Sequence, residues 1–296
     1  MPELPEVEAY LAGLREHVEG QVLGGVRLAS PFLVRSVEPP LEAAVGRRLE
    51  EVRRIGKRVV LGMGGELFLV VHLMIAGRLR WRKPGAGLPG KAGLAAFDFE
   101  EGTLVLTEAS SKKRASLVVV QGEAGLGEHD PGGIEPLEVD REAFAETLQG
   151  QRHTLKRALT SPRIVSGIGN TWSDEILWEA RLSPFKRTAE LEEEEMERLW
   201  TATRAVLVRW RDRYVADARA AFPDKVTAFH EDMAVHGRYR QPCPRCAKPV
   251  QRIVYAGKNE ANYCAGCQTG GRLLADRVLS RLLREDWPRT LEEMEG

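Results

Sequence analysis

The residues best suited to covalent chemistry lie at the start of the chain, which reads MPELPEVE. If Met1 is removed, Pro2 carries a free secondary amine next to the carboxylate of Glu3. An α-amino group titrates near ~8, so part of it is neutral and nucleophilic at neutral pH. Such amines form Schiff bases with carbonyl carbons, and Glu3 stands where a general acid/base is needed. Alternatively, these residues only open a helix, because Pro5 and Glu6 suit a first turn.

All four cysteines of the chain form a second group of reactive side chains. They lie in two Cys-x2-Cys pairs separated by 17 residues, namely Cys243, Cys246, Cys264 and Cys267. This spacing predicts one structural Zn²⁺, because four thiolates complete a tetrahedron and leave no open position for catalysis. Two disulfides are the alternative, which oxidising compartments favour. Between the pairs, Pro249–Val254 and Asn262–Tyr263 predict a β-hairpin.

The N-terminal half must position the first group, and its pattern predicts one helix followed by β-structure. Val7, Leu11, Leu14 and Val18 form an apolar stripe with helical spacing. Eight short apolar runs follow, separated by glycine-rich turns, which predicts a sandwich or barrel. The runs are Val22–Leu28, Leu49–Val52, Val59–Met63, Leu67–Met74, Gly77–Trp81, Ala95–Phe99, Leu104–Thr107 and Ser116–Val120. The turn-rich stretch Gly122–Glu138 marks the domain boundary.

The C-terminal half is predicted to be helical up to the cysteines. Its predicted helices are Arg141–Leu148, His153–Leu159 and Leu191–Trp210, with a further helical stretch at Leu273–Leu283. In Val165–Glu175 two glycines precede Asn170 and Thr171, either of which can cap a following helix. Backbone N–H groups at such a helix start favour a phosphate, but the spacing alone favours an ordinary connection between helices.

Composition and charge narrow the class of protein. A chain of 296 residues with 43% hydrophobic content can form two domains. No secretory signal is visible, and the most apolar window, Leu67–Ala76, is too short to span a membrane. A soluble cytoplasmic protein is therefore expected. The net charge is zero, yet residues 204–286 hold 16 Lys and Arg against 9 Asp and Glu. This distribution fits a DNA-binding protein whose basic residues lie on one face, although many solvated surfaces have a similar charge distribution.

Taken together, these motifs resemble the formamidopyrimidine-DNA glycosylase/endonuclease VIII family over nearly the whole chain, from Pro2 to Gln268. The matching segments are the N-terminal PELPEVE, Lys57 after Arg54-Ile55-Gly56, His72-Leu73 before Gly77-Arg78-Leu79, Gly133-Ile134-Glu135-Pro136-Leu137, Gly167-Ile168-Gly169-Asn170, Val235-His236-Gly237-Arg238 and the cysteine pairs.

The resemblance implies an α+β fold with DNA in the cleft between two domains. An N-terminal β-sandwich with a leading helix is expected at residues 1–128, followed by a linker at 129–140. A helical domain with a helix–two-turns–helix motif is expected at 141–236 and a zinc-finger hairpin at 237–270. Residues 271–296 form a C-terminal extension that many relatives lack.

The resemblance also implies roles for individual residues. Pro2 attacks C1′ of the damaged nucleotide and forms a Schiff base, Glu3 is the acid/base, and Glu6 supports this geometry. The remaining matches are expected to hold phosphates near the lesion, with a surface or packing role as the alternative for each. They are Lys57, which is also a candidate catalytic residue, His72, Asn170 and the further candidate Lys156. The implied partner is double-stranded DNA with a damaged base or abasic site, bound by a monomer without any membrane.

Three departures from the family pattern leave the choice of lesion open. The loop that probes the opposite base reads TEASSKKRAS at 107–116, so Lys112, Lys113 or Arg114 is expected to contact DNA without an aromatic wedge. Ile75 stands where many relatives have a void-filling methionine. In the zinc-finger hairpin, Asn259 aligns with the arginine that relatives direct at the lesion phosphate. Lys258 or Arg272 is expected to replace that arginine.

The predicted function is thus a bifunctional DNA glycosylase and abasic-site lyase of base-excision repair that acts on oxidised bases. The alternative is a damaged-DNA-binding protein without catalysis on the same scaffold. A retained Met1 favours this alternative because it buries the proline nitrogen in a peptide bond. Without the resemblance, a zinc-ribbon protein that binds RNA or protein is a third hypothesis.

Overall fold

The computed structural model describes residues 1–224, 226, 229–255, 260–275 and 279–295. The chain divides into two compact units. Unit 1 comprises Met1–Pro131 and Arg209–Ala228, and unit 2 comprises Gly132–Val208 and Phe229–Gly296. The finer division into five segments stays a prediction.

Unit 1 combines one long helix with two antiparallel sheets of four strands each. Helix α1 spans Leu4–His17. The strands are β1 (Gly25–Leu28), β2 (Leu49–Ile55), β3 (Arg58–Met63), β4 (Leu67–His72), β5 (Gly77–Arg82), β6 (Gly93–Asp98), β7 (Thr103–Glu108) and β8 (Ser116–Gln121). One sheet has the order β1-β6-β7-β5 and the other β2-β3-β4-β8. All eight predicted strands are confirmed, although Val22 lies outside β1 in an isolated bridge with Arg48.

A single apolar core joins both sheets and α1. The helix contributes its predicted stripe together with Tyr10, and each sheet contributes alternate residues such as Leu61 of β3 and Leu106 of β7. The β2-β3-β4-β8 sheet is also covered on its outer face. There, Phe68 and Val70 pack against Leu126 of a short helix, α2 (Gly122–Gly127). Helix α2 was not predicted, because its three glycines are typical of a turn.

Unit 2 contains the predicted helices. They are α3 (Arg141–Gln149), α4 (Leu155–Thr160), α5 (Asn170–Glu179) and α6 (Glu193–Ala220), the last of which continues ten residues beyond its predicted end and into unit 1. Asp140 caps α3 and Thr154 caps α4 through their side chains. The predicted cap of α5 by Asn170 or Thr171 is wrong, because Gly169 occupies the N-cap position. Within the described ranges, no helix is both long and apolar enough to cross a membrane.

The four cysteines flank a two-stranded hairpin, as predicted. Strand β9 (Val250–Val254) pairs with β10 (Glu260–Cys264), and α7 (Ala265–Gln268) follows. Two further helices, α8 (Leu279–Leu283) and α9 (Leu291–Glu295), complete the chain.

The predicted helix Leu273–Leu283 is wrong over its first residues. The Leu273 N–H donates to the Arg289 carbonyl at 2.8 Å, and Arg272 forms an antiparallel bridge with Thr290. Leu273 is buried in a small core with Tyr263 and Leu291. Burial against the hairpin, which depends on distant residues, therefore overrides the local helical pattern.

Candidate functional site

The N-terminal segment is buried and held by its own carboxylates. Pro2, Glu3 and Glu6 are all buried, and Glu3 is the N-cap of α1. The Glu6 Oε2 accepts a hydrogen bond from the Glu3 N–H at 3.0 Å, as one half of a capping box. The capping box thus begins α1 and also fixes the backbone next to Pro2.

The chain's terminal amine lies in an environment that favours its neutral form. Burial is the largest influence and lowers the pKa of the Met1 amine below its usual value. The negative charges of Glu3 and Glu6 raise this pKa, whereas the positive charges of Arg78 and Lys57 lower it. Removal of Met1 would place the terminal amine on Pro2, the next residue of the same segment, which is buried beside Glu3. Such an amine is nucleophilic at neutral pH.

Lys57 lies in the tight turn between β2 and β3, and Arg54 braces that turn. The Arg54 Nη1 donates to the Gly56 carbonyl at 2.8 Å, while its Nε lies 3.1 Å from the Glu8 Oε1 on α1. Gly56 adopts a φ of 58°, in the left-handed region that favours glycine. Arg54 thus ties the position of Lys57 to the helix that carries the N-terminus. Arg54 belongs to the matching segment Arg54-Ile55-Gly56, but its role as a brace could not be predicted from the sequence.

His72 is the last residue of β4 and is held as a neutral imidazole. Burial, followed by the charges of Arg58 and Lys57, lowers its pKa to about 4. Its Nδ1 accepts a hydrogen bond from the Met74 N–H at 3.0 Å, which leaves the proton on Nε2. His72 can therefore donate one hydrogen bond to a phosphate oxygen but brings no positive charge to it.

The basic loop that follows β7 is anchored by a carboxylate that the sequence analysis did not single out. Glu108 is 2% exposed and accepts hydrogen bonds from the backbone N–H groups of Arg114 at 2.8 Å and Ala115 at 3.0 Å. The Lys113 ammonium donates to the Glu108 carbonyl. Lys112, Lys113 and Arg114 are all exposed.

Asn170 and Lys156 come together in unit 2. Asn170 is the first residue of α5, and its Nδ2 donates to the Glu260 carbonyl of β10 at 2.6 Å. The Lys156 Nζ donates to the Asn170 carbonyl at 2.8 Å and forms an ion pair with Asp174 at 2.5 Å. Lys156 is only 6% exposed. The structure thus places it inside a polar cluster and not on an open surface.

Of the two candidates for the cation of the zinc-finger hairpin, only Arg272 lies among the described residues. Lys258 lies outside the described residues, as does Asn259. Arg272 is exposed and follows α7 at the bridge with Thr290. Its role at DNA stays a prediction.

The four cysteines have a geometry that suits a metal ion. Their Sγ atoms all lie within 4.8 Å of one another, with Cys243 and Cys267 at 3.9 Å and Cys246 and Cys264 at 3.3 Å. Tetrahedral Zn–S bonds of ~2.3 Å imply S···S separations of about 3.8 Å. The donor set therefore fits a four-thiolate zinc ion.

Hydrogen bonds favour the thiolate form of Cys243. Burial alone would raise the pKa of this thiol, but the Trp178 indole N–H, 3.3 Å from its Sγ, and the backbone N–H groups of Arg245 and Cys246 lower it to about 7. Metal ligation needs the thiolate, and N–H donors to the sulfur orient it for that role.

Comparisons with known proteins match this architecture along the chain. A model of the formamidopyrimidine-DNA glycosylase N-terminal domain matches residues 1–114, and a model of the formamidopyrimidine-DNA glycosylase H2TH domain matches residues 133–210. The formamidopyrimidine-DNA glycosylase of Thermus thermophilus is 35% identical over 280 residues, which cover 92% of this chain and 100% of that protein.

Solved structures agree with these matches. Wild-type Lactococcus lactis Fpg (MutM) in complex with DNA containing N7-benzyl-Fapy-dG has a TM-score of 0.81 at 25% identity, covering 90% of this chain and 100% of that one. Lactococcus lactis Fpg bound non-covalently to DNA with an abasic site has a TM-score of 0.79 at 24% identity, covering 90% and 99%. The chain belongs to the formamidopyrimidine-DNA glycosylase family.

Proposed function

We propose that the protein is a bifunctional DNA glycosylase and abasic-site lyase of base-excision repair. Its substrate is double-stranded DNA with an oxidised base or an abasic site. The observation that carries the proposal is the burial of Pro2 beside Glu3 in the capping box that begins α1, in a setting where burial lowers the pKa of the terminal amine below its usual value. Relatives named formamidopyrimidine-DNA glycosylase support it, as do the similar structures that contain modified or abasic DNA.

In the proposed mechanism, removal of Met1 releases the Pro2 amine. This amine forms a bond to C1′ as the bond between C1′ and the damaged base breaks, and the base leaves with a proton. Glu3 is the acid/base for base loss and sugar ring opening, which yields the Schiff base. Elimination of phosphate then nicks the strand. The base must leave the stack first, and unstacking costs less at a lesion.

The DNA contacts in this proposal divide between charge and hydrogen bonding. Lys57 supplies a cation from its braced turn, and neutral His72 donates through Nε2. The start of α5 at Asn170 offers backbone N–H groups, which favour a phosphate. The exposed Lys112, Lys113 and Arg114 add a basic loop, while Lys258 or Arg272 would serve as the finger cation.

The proposed protein also binds one structural Zn²⁺. Cys243, Cys246, Cys264 and Cys267 would hold it, and it would stabilise the β9–β10 hairpin without taking part in the reaction. In this proposal the protein acts as a monomer in the cytoplasm, on the DNA of the nucleoid.

Borohydride trapping on a duplex with a single abasic site tests the proposal. We expect a covalent cross-link whose peptide mass maps to Pro2, together with strand nicking. Pro2→Gly should lose most of this trapping, because a primary glycine amine in a more flexible chain is a poorer nucleophile at this position. Lys91→Gly, in an exposed loop of unit 1, is the matched control and should trap like the wild type.

Two outcomes would contradict the proposal. Full trapping by Pro2→Gly would exclude Pro2 as the nucleophile. Binding of the duplex without any cross-link would favour the alternative function, a damaged-DNA-binding protein without catalysis. Intact-mass measurement of the same sample shows whether Met1 is present, which distinguishes a blocked amine from a scaffold that lacks the chemistry.

A further inference from the structure

A buried polar cluster in unit 2 links four separate stretches of the chain. We call it the Asp174 cluster, and its members are Lys156 of α4, Thr171 and Asp174 of α5, His236, and Asn262 of β10. All five are buried, with exposures between 1% and 7%. Buried polar groups are costly unless they are paired, so such a cluster specifies how its elements fit together.

Asp174 is the centre of this cluster. Its Oδ1 accepts from the Lys156 ammonium at 2.5 Å. Its Oδ2 accepts from the Asn262 N–H at 3.0 Å and pairs with the His236 Nδ1 at 2.8 Å. One carboxylate thus ties α4, the segment before the cysteine pairs and the hairpin to α5.

The neighbours of Asp174 strengthen these connections. Glu175 accepts hydrogen bonds from the backbone N–H groups of Ala234, Val235 and His236, each at 2.9 Å. Asn262 Oδ1 accepts from the Gly237 N–H at 2.8 Å. The middle of α5 is therefore attached to both the hairpin and the chain that leads into it.

The surroundings of Lys156 indicate what its charge does. Its ammonium lies 2.5 Å from a carboxylate that is 1% exposed, and it also donates to the Asn170 carbonyl. A phosphate ligand needs an ammonium that reaches solvent or DNA. Here the cation instead neutralises a buried anion, and removal of one member of such a pair is strongly destabilising.

We propose that Asp174 is a positioning residue for the proposed DNA contacts of unit 2 at the start of α5 and on the β9–β10 hairpin. Lys156 acts through Asp174 and not through a DNA phosphate. This inference rests on the proposed function, since it assigns how the start of α5 and the hairpin are held for DNA. It replaces the prediction that Lys156 contacts phosphate directly.

The salt dependence of DNA affinity distinguishes the two roles of Lys156. Each neutralised phosphate of B-DNA contributes about 0.9 to the slope of log affinity against log salt concentration. We expect Lys156→Met to weaken binding of an abasic duplex about tenfold while the slope stays at the wild-type value. Arg157→Met is the matched control, because Arg157 is the next residue of α4 and is exposed. A slope smaller by about 0.9 in Lys156→Met would overturn the proposal.

The double variant Lys156→Met/Asp174→Asn supplies a rescue test and covers poor folding of the single variant. An asparagine oxygen still accepts from His236 and Asn262, and no uncompensated charge remains. We expect this double variant to bind DNA more tightly than Lys156→Met alone. Equal or weaker binding than Lys156→Met would overturn the proposal, since the loss would then not pass through Asp174.

Wild-type trapping in the same assay keeps the two proposals apart. If the wild type forms the Pro2 cross-link and the rescue fails, the inference about Asp174 is wrong while the proposed function stands. If the wild type binds no abasic duplex, the proposed function fails. The inference is then judged on zinc retention, which Lys156→Met should lower and the double variant should restore.

Discussion

At the residue scale, the candidate chemistry depends on how burial and neighbouring charges set protonation. The terminal amine is shifted towards its neutral form chiefly by burial, and His72 is shifted in the same direction. The amine would gain nucleophilicity from this, whereas His72 becomes a neutral donor. Lys57 and Arg78 act on the amine and Lys57 also acts on His72, so the same basic residue influences both groups.

The pKa of His72 predicts a pH-dependent loss of stability. Because this pKa is about 4 in the folded protein and near ~6.5 when unfolded, the unfolded state binds more protons between these values. The free energy of unfolding should therefore fall as the pH decreases through this window. Relative to His72→Gln, which does not titrate, the wild type should lose about 1–2 kcal/mol between pH 7 and pH 5.

Urea unfolding of both proteins at the two pH values measures this difference. His129→Gln is a useful control, because His129 is a partly exposed histidine of the same unit. An identical pH dependence in the wild type and His72→Gln would mean that His72 is not held neutral by its surroundings.

At the element scale, the chain that follows the cysteines is part of the hairpin's core. We call Gly271–Leu274 together with Arg289–Met294 the C-terminal clasp. Leu291 is 3% exposed and packs with Tyr263 and Ile253 of the hairpin. The Leu274 N–H donates to the Tyr263 hydroxyl at 2.8 Å, next to Cys264. A hairpin of five-residue strands thereby gains apolar burial that its own residues cannot supply.

Truncation of Leu291 tests the contribution of the clasp. Leu291→Ala leaves a cavity against Tyr263, for which we expect a loss of about 2 kcal/mol or more in stability of the hairpin. Zinc release to a chelator should accelerate accordingly. Met294→Ala lies on the same helix, α9, at a side chain that is 41% exposed, and it should release zinc like the wild type. Equal release rates for the two variants would show that the clasp does not stabilise the hairpin.

At the scale of the whole molecule, the chain forms two units with separate cores. The core of unit 1 is built from α1 and both four-stranded sheets, while the hairpin core and the cysteines belong to unit 2. Helix α6 contributes residues to both units. Loss of metal is therefore expected to act on unit 2 and to leave the sheets of unit 1 folded.

Cys264→Ser tests this separation. The variant removes a buried member of the four-cysteine set, so we expect loss of bound zinc and weaker DNA affinity. Amide hydrogen exchange should show unchanged protection in β3, β4 and β7 of unit 1 and increased exchange in β9 and β10. Zinc measured by native mass spectrometry at the wild-type ratio would show that the four-cysteine site is wrong.

Local sequence patterns sufficed for the elements whose signals are short in range. Short apolar runs separated by turn residues predicted the strands, and the stripe from Val7 to Val18 predicted α1. The two segments between the Cys-x2-Cys pairs predicted the hairpin. The N-terminal motif likewise pointed to the family. These signals need no knowledge of distant contacts, because side-chain periodicity and turn residues act over a few positions.

Only the tertiary structure decided the environment of the candidate site residues. Burial and the charges of Arg58 and Lys57 lower the pKa of His72, so its imidazole is neutral. Lys156 is buried in an ion pair with Asp174. Glu108 and Arg54 became anchors through partners that only folding brings to them. Leu273 lies outside a helix, contrary to the prediction, because it packs in a core with Tyr263 and Leu291. Protonation, pairing and burial depend on residues far apart in the chain, and the sequence determined their types but not their contacts.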